Sequence, residues 1–181
     1  MSTQQIVLLA TAALLVFWMV GAYNRLVALR KAIGGAWLQV AETLQRRAEA
    51  VAALGAVLRV PLADEQGALD ALAAAQARVS AAAQALGQRP TGAALATSVQ
   101  AADAALAPAA ARVLALMEHR AELRQDPAAA TPVAQLRECE TRLVFARQLY
   151  NTAGVAYNAA VSQWPTRWLA RLYGFDAAGR L

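Results

Sequence analysis

LRECETRLVFARQLYNTAGVAYNAAVSQWP, residues 136–165, is the stretch from which the fold can be read. Leu136, Leu143, Tyr150, Tyr157 and Trp164 recur every seven residues, and Cys139, Ala146, Ala153 and Ala160 form a second row of small side chains. A seven-residue apolar repeat places both rows along one side of a helix. Large residues beside small ones let a neighbouring helix pack closely. Cys139 is then simplest as a core residue. The stretch also holds Tyr150-Asn151 and Tyr157-Asn158, and a third such pair, Tyr23-Asn24, lies far upstream. These are the only asparagines in the chain, and each follows a tyrosine.

Working outward, the helix stops at Pro165 and starts at Thr131-Pro132, an N-cap followed by proline at the first helical position. Asp126-Pro127 breaks the chain before it. A helix over 92–125, opened by Thr91, carries the stripe Leu95, Val99, Ala102, Leu106, Ala109, Val113, Leu116 and Leu123, with a kink expected at Pro108. Another over 65–86, capped by Asp64, turns Leu69, Leu72, Val79 and Leu86 inward. The first bundle helix runs from Tyr23 to about Arg59, with Leu26, Ile33, Trp37, Val40, Leu44, Val51, Leu54 and Leu58 on its stripe. Gly34-Gly35 inside it suggests a close helix contact. The fold class expected is all-α: an N-terminal transmembrane helix continuing into an antiparallel bundle of about four long helices.

The first 24 residues carry no charged side chain, and Ile6–Ala22 is an almost unbroken apolar run. Twenty helical residues span about 30 Å, the thickness of a bilayer's hydrocarbon core. A cleaved signal peptide would have a basic start and a shorter apolar region. The domains expected are therefore a transmembrane helix over 1–22, a bundle over 23–163, and an amphipathic aromatic and basic tail over 164–181. Arg25, Arg30 and Lys31 follow the span and no basic residue precedes it, which places the bundle in the cytoplasm by the positive-inside rule.

The net charge of +5 is distributed tellingly. Residues 32–163 hold eleven arginines and eleven acidic residues, so the excess lies at the two ends. A nucleic-acid face needs clustered positive charge with stacking aromatics, and no nucleic-acid partner is expected. A single histidine (His119) and a single cysteine leave no metal set or internal disulfide in view. No phosphate loop or nucleophile elbow occurs. The carboxylate pairs available for acid-base work are Glu118 with Glu122 and Glu138 with Glu140; the first lies one helical turn apart, flanked by Arg120 and Arg124, as on a solvated helix face. No catalysis and no cofactor are expected.

Helix lengths add a geometric expectation. From Tyr23 the first helix extends about 54 Å, and the fourth, 133–163, measures about 46 Å at 1.5 Å per residue. Four alternating helices return the end of the fourth to the neighbourhood of Tyr23. Trp164, Arg167, Trp168, Arg171 and Tyr173 would then lie with Arg25, Arg30 and Lys31 at the membrane interface, facing anionic lipid, or the aromatics would cap the bundle core. Tyr23, Asn24, Trp37, Tyr150, Asn151, Tyr157 and Asn158 are the expected inter-helix structural residues, with Asn24 and Asn158 neighbours in space. Arg46 or Arg47 would pair with Glu138 or Glu140 across helices.

YNRLVALRKAIGGAWLQVAETLQRRAEAV (23–51) and ECETRLVFARQLYNTAGVAYN (138–158), followed by Trp-Pro and Gly-Phe, resemble the opening and closing of the bacterial LemA family. The chain departs from the family pattern after the paired arginines, at Ala48-Glu49-Ala50-Val51, and before the last helix, near Glu122-Leu123, as a divergent member would. The resemblance implies a membrane-anchored helical bundle of the inner membrane and supplies no reaction. The function expected is a scaffold or interaction module with a membrane or envelope protein partner, self-association being compatible with it. The alternative is a tethered regulatory module holding a small ligand or peptide between helices, in an apolar cleft lined by Trp37 and Tyr150.

Overall fold

The computed structural model describes residues 2–181, and Met1, the first residue of the expected span, lies outside them. The described residues form helices and no strand: α1 (Thr3–Leu58), α2 (Gln66–Gln88), α3 (Ala93–His119), the short α4 (Ala121–Arg124), α5 (Pro127–Ser162) and α6 (Thr166–Leu172), with a non-helical end after Tyr173. A single 3-10 turn, Ala63–Glu65, joins α1 to α2.

Helix α1 is unbroken from the apolar segment into the bundle. Ser2 opens it with reciprocal bonds to Gln5: the Gln5 N–H reaches the Ser2 hydroxyl at 3.4 Å, and the Gln5 side-chain oxygen accepts from the Ser2 N–H at 3.0 Å. From Leu26 onward its stripe is buried at Ile33, Trp37, Val40, Leu44, Val51, Leu54 and Leu58, where apolar side chains leave water against α2 and α5. The closest helix pairings are α1 with α5, α2 with α3, and α1 with α2, whereas α3 and α5 scarcely approach one another. Four long helices therefore form a bundle with three tight seams and one open one.

Several boundaries differ from expectation. Helix α5 begins at Pro127, not at Pro132: the Asp126 carboxylate accepts the Ala128 N–H at 2.8 Å, and proline at the first position loses no hydrogen bond. Pro132 is accommodated within α5, buried in the core. The expected third helix stops at His119, six residues early. Arg120 takes an extended backbone and sends its guanidinium to the Pro61 carbonyl, 2.6 Å, and to the Asp64 carboxylate. Asp64 therefore does not cap α2; the Arg120 hydrogen bond engages it, holds its carboxyl below the usual range and staples the turn after α1 to the turn after α3. Pro108 sits inside α3 without ending it.

Gly34-Gly35 does not mark a close contact, since a Cβ at either position meets nothing within 4 Å. The close approaches lie elsewhere. A Cβ at Gly87 would sit 3.3 Å from the Trp37 indole nitrogen, and one at Gly179 would fall 2.7 Å from the Ala93 Cα and the Ala96 Cβ. At the end of α6, Gly174 adopts φ +67°, and the Phe175 N–H returns to the Ala170 carbonyl at 2.8 Å. This left-handed residue, cheap for glycine, turns the chain out of α6 and back along the bundle.

Candidate functional site

Three features stand out once the helices are placed: an exposed aromatic and basic end, a strap laid on α5, and a charged cluster at mid-height. All three are set by where α5 and α6 run relative to α1.

At the end nearest the apolar segment, α6 packs on α1 and α5. Leu169 and Ala170 face inward, and Phe175 closes the core behind them. Tyr23 meets the Tyr173 ring at 5.1 Å and the Phe175 ring at 5.8 Å, the second edge-on. The fourth long helix thus returns its end to Tyr23, as the length count predicts. The rest of the tail points out: Trp164, Trp168 and Leu172 are 72%, 64% and 77% exposed, with Arg167, Arg171 and Tyr173 also exposed. Arg25, Arg30 and Lys31 are exposed on α1 and make no ion pair among the described residues. One part of the tail caps the core while its other face offers indoles and guanidinium groups together.

Asn151 and Asn158 prove to hold the strap, residues 175–181. Asn158 accepts the Ala178 N–H at 2.7 Å and donates to the Ala178 carbonyl at 3.0 Å. Asn151 does the same for Leu181, accepting its N–H at 2.8 Å. Tyr157 adds its hydroxyl to the Asp176 carbonyl at 3.0 Å. The spacing explains the pattern. Seven helical residues rise about 10.5 Å, and three extended residues cover about 10 Å, so heptad asparagines match every third strap residue. Asn24 and Asn158 share no hydrogen bond: Asn24 is exposed and makes no side-chain hydrogen bond among the described residues, while the Asn158 amide is engaged by Ala178. A bidentate amide satisfies one donor and one acceptor of a peptide that has no helix or sheet partner, which is why the strap backbone prefers it.

Trp37 and Tyr150 are both buried and meet edge-to-face at 6.2 Å, so they form a closed contact and line no cleft. The Tyr150 hydroxyl donates to the Pro90 carbonyl at 2.6 Å, tying α5 to the turn between α2 and α3. Burial pushes the Tyr150 phenol up to about 12 and moves Tyr157 in the same direction.

At mid-height, Arg47 is 2% exposed yet charged. Its guanidinium meets Asp103 of α3 at 2.5 Å and Glu140 of α5 at 3.0 Å, and Arg147 adds a second bond to Asp103 at 2.8 Å. Partial burial pushes the Asp103 carboxyl up, but the Arg147 and Arg47 bonds and charges outweigh it and leave it below the usual range. The cross-helix pairing expected for the double arginine is thus made by Arg47 with Glu140, whereas Arg46 bonds its own helix at Glu42. Asp103 escapes a hydrophobic-stripe reading, although it is the one acidic residue between Ala93 and Met117, amid alanines, and that isolation was a usable signal.

A family model for the LemA family matches residues 36–180, most of α1's bundle portion together with everything that packs on it. No curated protein matches the chain.

Proposed function

The chain belongs to the bacterial LemA family, and from that premise we propose that it is a non-enzymatic scaffold or interaction module held in the inner membrane. The observation that carries the reading is the continuity of α1. Its first twenty residues bury nothing in the fold, while the same helix, without a break, becomes the spine of the bundle. Ile6, Leu8, Leu14 and Phe17 are all exposed. Apolar surface of that extent is costly in water at about 25 cal/mol per Å², and an apolar helix of bilayer length removes the cost by crossing the membrane. Helix α3 is also long and apolar by composition, its most apolar 18 residues at a mean hydropathy of 1.3 against 2.3 for those of α1, but it packs on α2 and carries Asp103 into an ion pair.

A spine rigidly continuous with its anchor holds the bundle upright on the bilayer, with the bundle on the cytoplasmic side where Arg25, Arg30 and Lys31 prefer to lie. The exposed face of α6 then sits at the headgroups. Indoles favour that zone and Arg167 and Arg171 meet anionic lipid, so the module touches the membrane at a second place. Such a body works by presenting surfaces to a membrane or envelope protein, or to further copies of itself. Fractionation of cells expressing the full chain tests the anchor: recovery in the soluble fraction would sink the proposal. Thiol labelling of Gln4→Cys from outside and Ser80→Cys from inside tests the orientation.

A further inference from the structure

Helices α3 and α5 leave a seam open down the bundle, and its two halves are treated differently. In the half nearer α6 the strap fills it: Gly179 lies against Ala93 and Ala96 of α3 and 3.6 Å from a Cβ placed on Gly154 of α5. Beyond the strap come Arg147, Asp103 and Arg47, which bridge the seam. Past them it opens into two cavities of about 310 and 300 Å³ that share Leu114, Val133 and Arg137 as walls. On α5 the row Gly154, Arg147, Glu140, Val133, seven residues apart, passes in order from strap to ion pairs to cavity. The same groove is therefore occupied at one end and vacant at the other.

We propose that the vacant half is a docking groove for an extended, uncharged, apolar segment of a partner polypeptide. This deepens the reading of the chain as an interaction module and rests on it. The occupied half is the precedent: an extended segment with small side chains, Ala178 and Gly179, fits between these two helices where their own side chains do not meet. The charges set the occupant's chemistry. Each cavity wall sets two arginines against two carboxylates, Arg47 and Arg137 with Asp103 and Glu140 in one and Arg124 and Arg137 with Glu118 and Asp126 in the other. Arg137 is shared, and Arg147, bonded to Asp103 at the groove's end, offsets the remaining carboxylate. An uncharged segment fits these walls better than an acidic or basic one. Arg47 lines the cavity at 2% exposure, and its Nε has no acceptor among the described residues. On α3 the cavity wall is made by half-buried Ala110 and Leu114 with exposed Ala107 and Ala111, so apolar side chains there still face water. From Leu106 to Met117 the groove runs about 17 Å, room for about five extended residues. Its distance from the anchor, about 37 Å of helix from Ala22 to Arg47, keeps it out of reach of bilayer lipid.

The test uses the full chain in detergent micelles and two pools of acetylated, amidated hexapeptides. One pool has Ala, Val or Leu at alternate positions with Ser or Asn between them; the other carries Asp or Lys at two positions. Each pool also bears a photoreactive benzophenone. The neutral pool should be retained at least tenfold over the charged pool, and Ala107→Trp or Ala110→Trp, which fill the cavity, should abolish retention. Crosslinks on the unaltered protein should map to Leu106–Leu114 and Val133–Arg137, which keeps the test valid should the tryptophan variants misfold. No retention, equal retention of both pools, or crosslinks elsewhere would overturn the proposal. So would dodecanoate binding with the peptides silent, which assigns an acyl chain, or a self-association lost in Ala107→Trp with the peptides silent, which assigns a second copy. In each of those cases a protein that still fractionates with membranes and still crosslinks to a partner there leaves the interaction-module reading standing. A soluble chain with no partner removes that reading instead.

Discussion

Replacing Asn158 by alanine removes one donor and one acceptor from the strap and little else. The two bonds, 2.7 and 3.0 Å to the Ala178 peptide, are half-buried. Each such bond is worth about 1 kcal/mol net, and water reaches part of the freed peptide, so the local cost should be about 1.5–2 kcal/mol. At about 1.4 kcal/mol per tenfold, the Ala178 amide should lose protection from hydrogen exchange by about 10–30-fold. The effect should be confined to the strap, because the helices pack without it and segments of this kind open separately from the core. Asn158→Asp keeps the acceptor for the Ala178 N–H but sets a carboxylate against the Ala178 carbonyl, and should behave no better than alanine. Asn151→Ala should act likewise on Leu181, and the double variant should cost less than the two together, since one strap serves both. Asn24→Ala is the internal control, with an effect below about 0.5 kcal/mol. Two results would refute the reasoning: unchanged exchange at Ala178 in Asn158→Ala, or an equal loss in Asn24→Ala.

Other perturbations read the core and the tail. Arg47→Met strips Asp103 of one of two partners in a partly buried place, while Glu140, 61% exposed, can turn to water; denaturant unfolding should show a loss of about 2–4 kcal/mol, and Glu140→Gln under about 1. Because the Asp103 carboxyl is lower in the folded chain, the stability it lends is present above about pH 3.8 and is lost as pH falls below it; Asp103→Asn should flatten that part of the acid-unfolding curve. Tyr150→Phe should cost about 1 kcal/mol through the Pro90 bond. Since the Tyr150 phenol rises from 10.0 to about 12, its contribution is complete below pH 10 and disappears as pH climbs through 12, so the variant should unfold less steeply over that alkaline range. Replacing Trp164, Arg167, Trp168 and Arg171 with alanine in a chain lacking residues 1–22 should lower co-sedimentation with anionic vesicles about tenfold or more; unchanged binding would leave α6 as a bundle cap alone.

How much of this was legible beforehand depends on the range of the interaction. The stripes of α1, α2 and α5 are local periodicities, and the residues they name are buried from Leu26 to Leu58 and from Leu69 to Leu86. On α5 Cys139, Leu143, Ala146, Tyr150, Tyr157 and Ala160 are buried, whereas Leu136 and Ala153 are half-buried and Trp164 is exposed. The return of the tail to Tyr23 follows from helix lengths alone. Misplaced ends occurred where a long-range partner overrode a local signal. Arg120 ended α3 because Asp64 and the Pro61 carbonyl were waiting across the bundle, and Asp64 was thereby lost as a cap. Gly34-Gly35 looked like a contact because glycine in a helix invites that reading, yet the tight approaches fell at Gly87 and Gly179, whose neighbours are distant in sequence.

By itself, the sequence determined an all-helical chain, an apolar helix of bilayer length, a neutral bundle with basic ends, and a heptad face on the last long helix. Those properties repeat every three or four residues, or belong to composition, so they survive without knowledge of neighbours. Only the tertiary structure decided what the asparagines hold, that Asp103 sits between two arginines, and that one seam of four stays open. Each depends on where a segment of extended or isolated residues meets a helix, and no periodicity encodes such a meeting. The Tyr-Asn pairs show both halves of the lesson: their spacing of seven was plain in the sequence, while its match to three residues of strap waited for the chain to fold back.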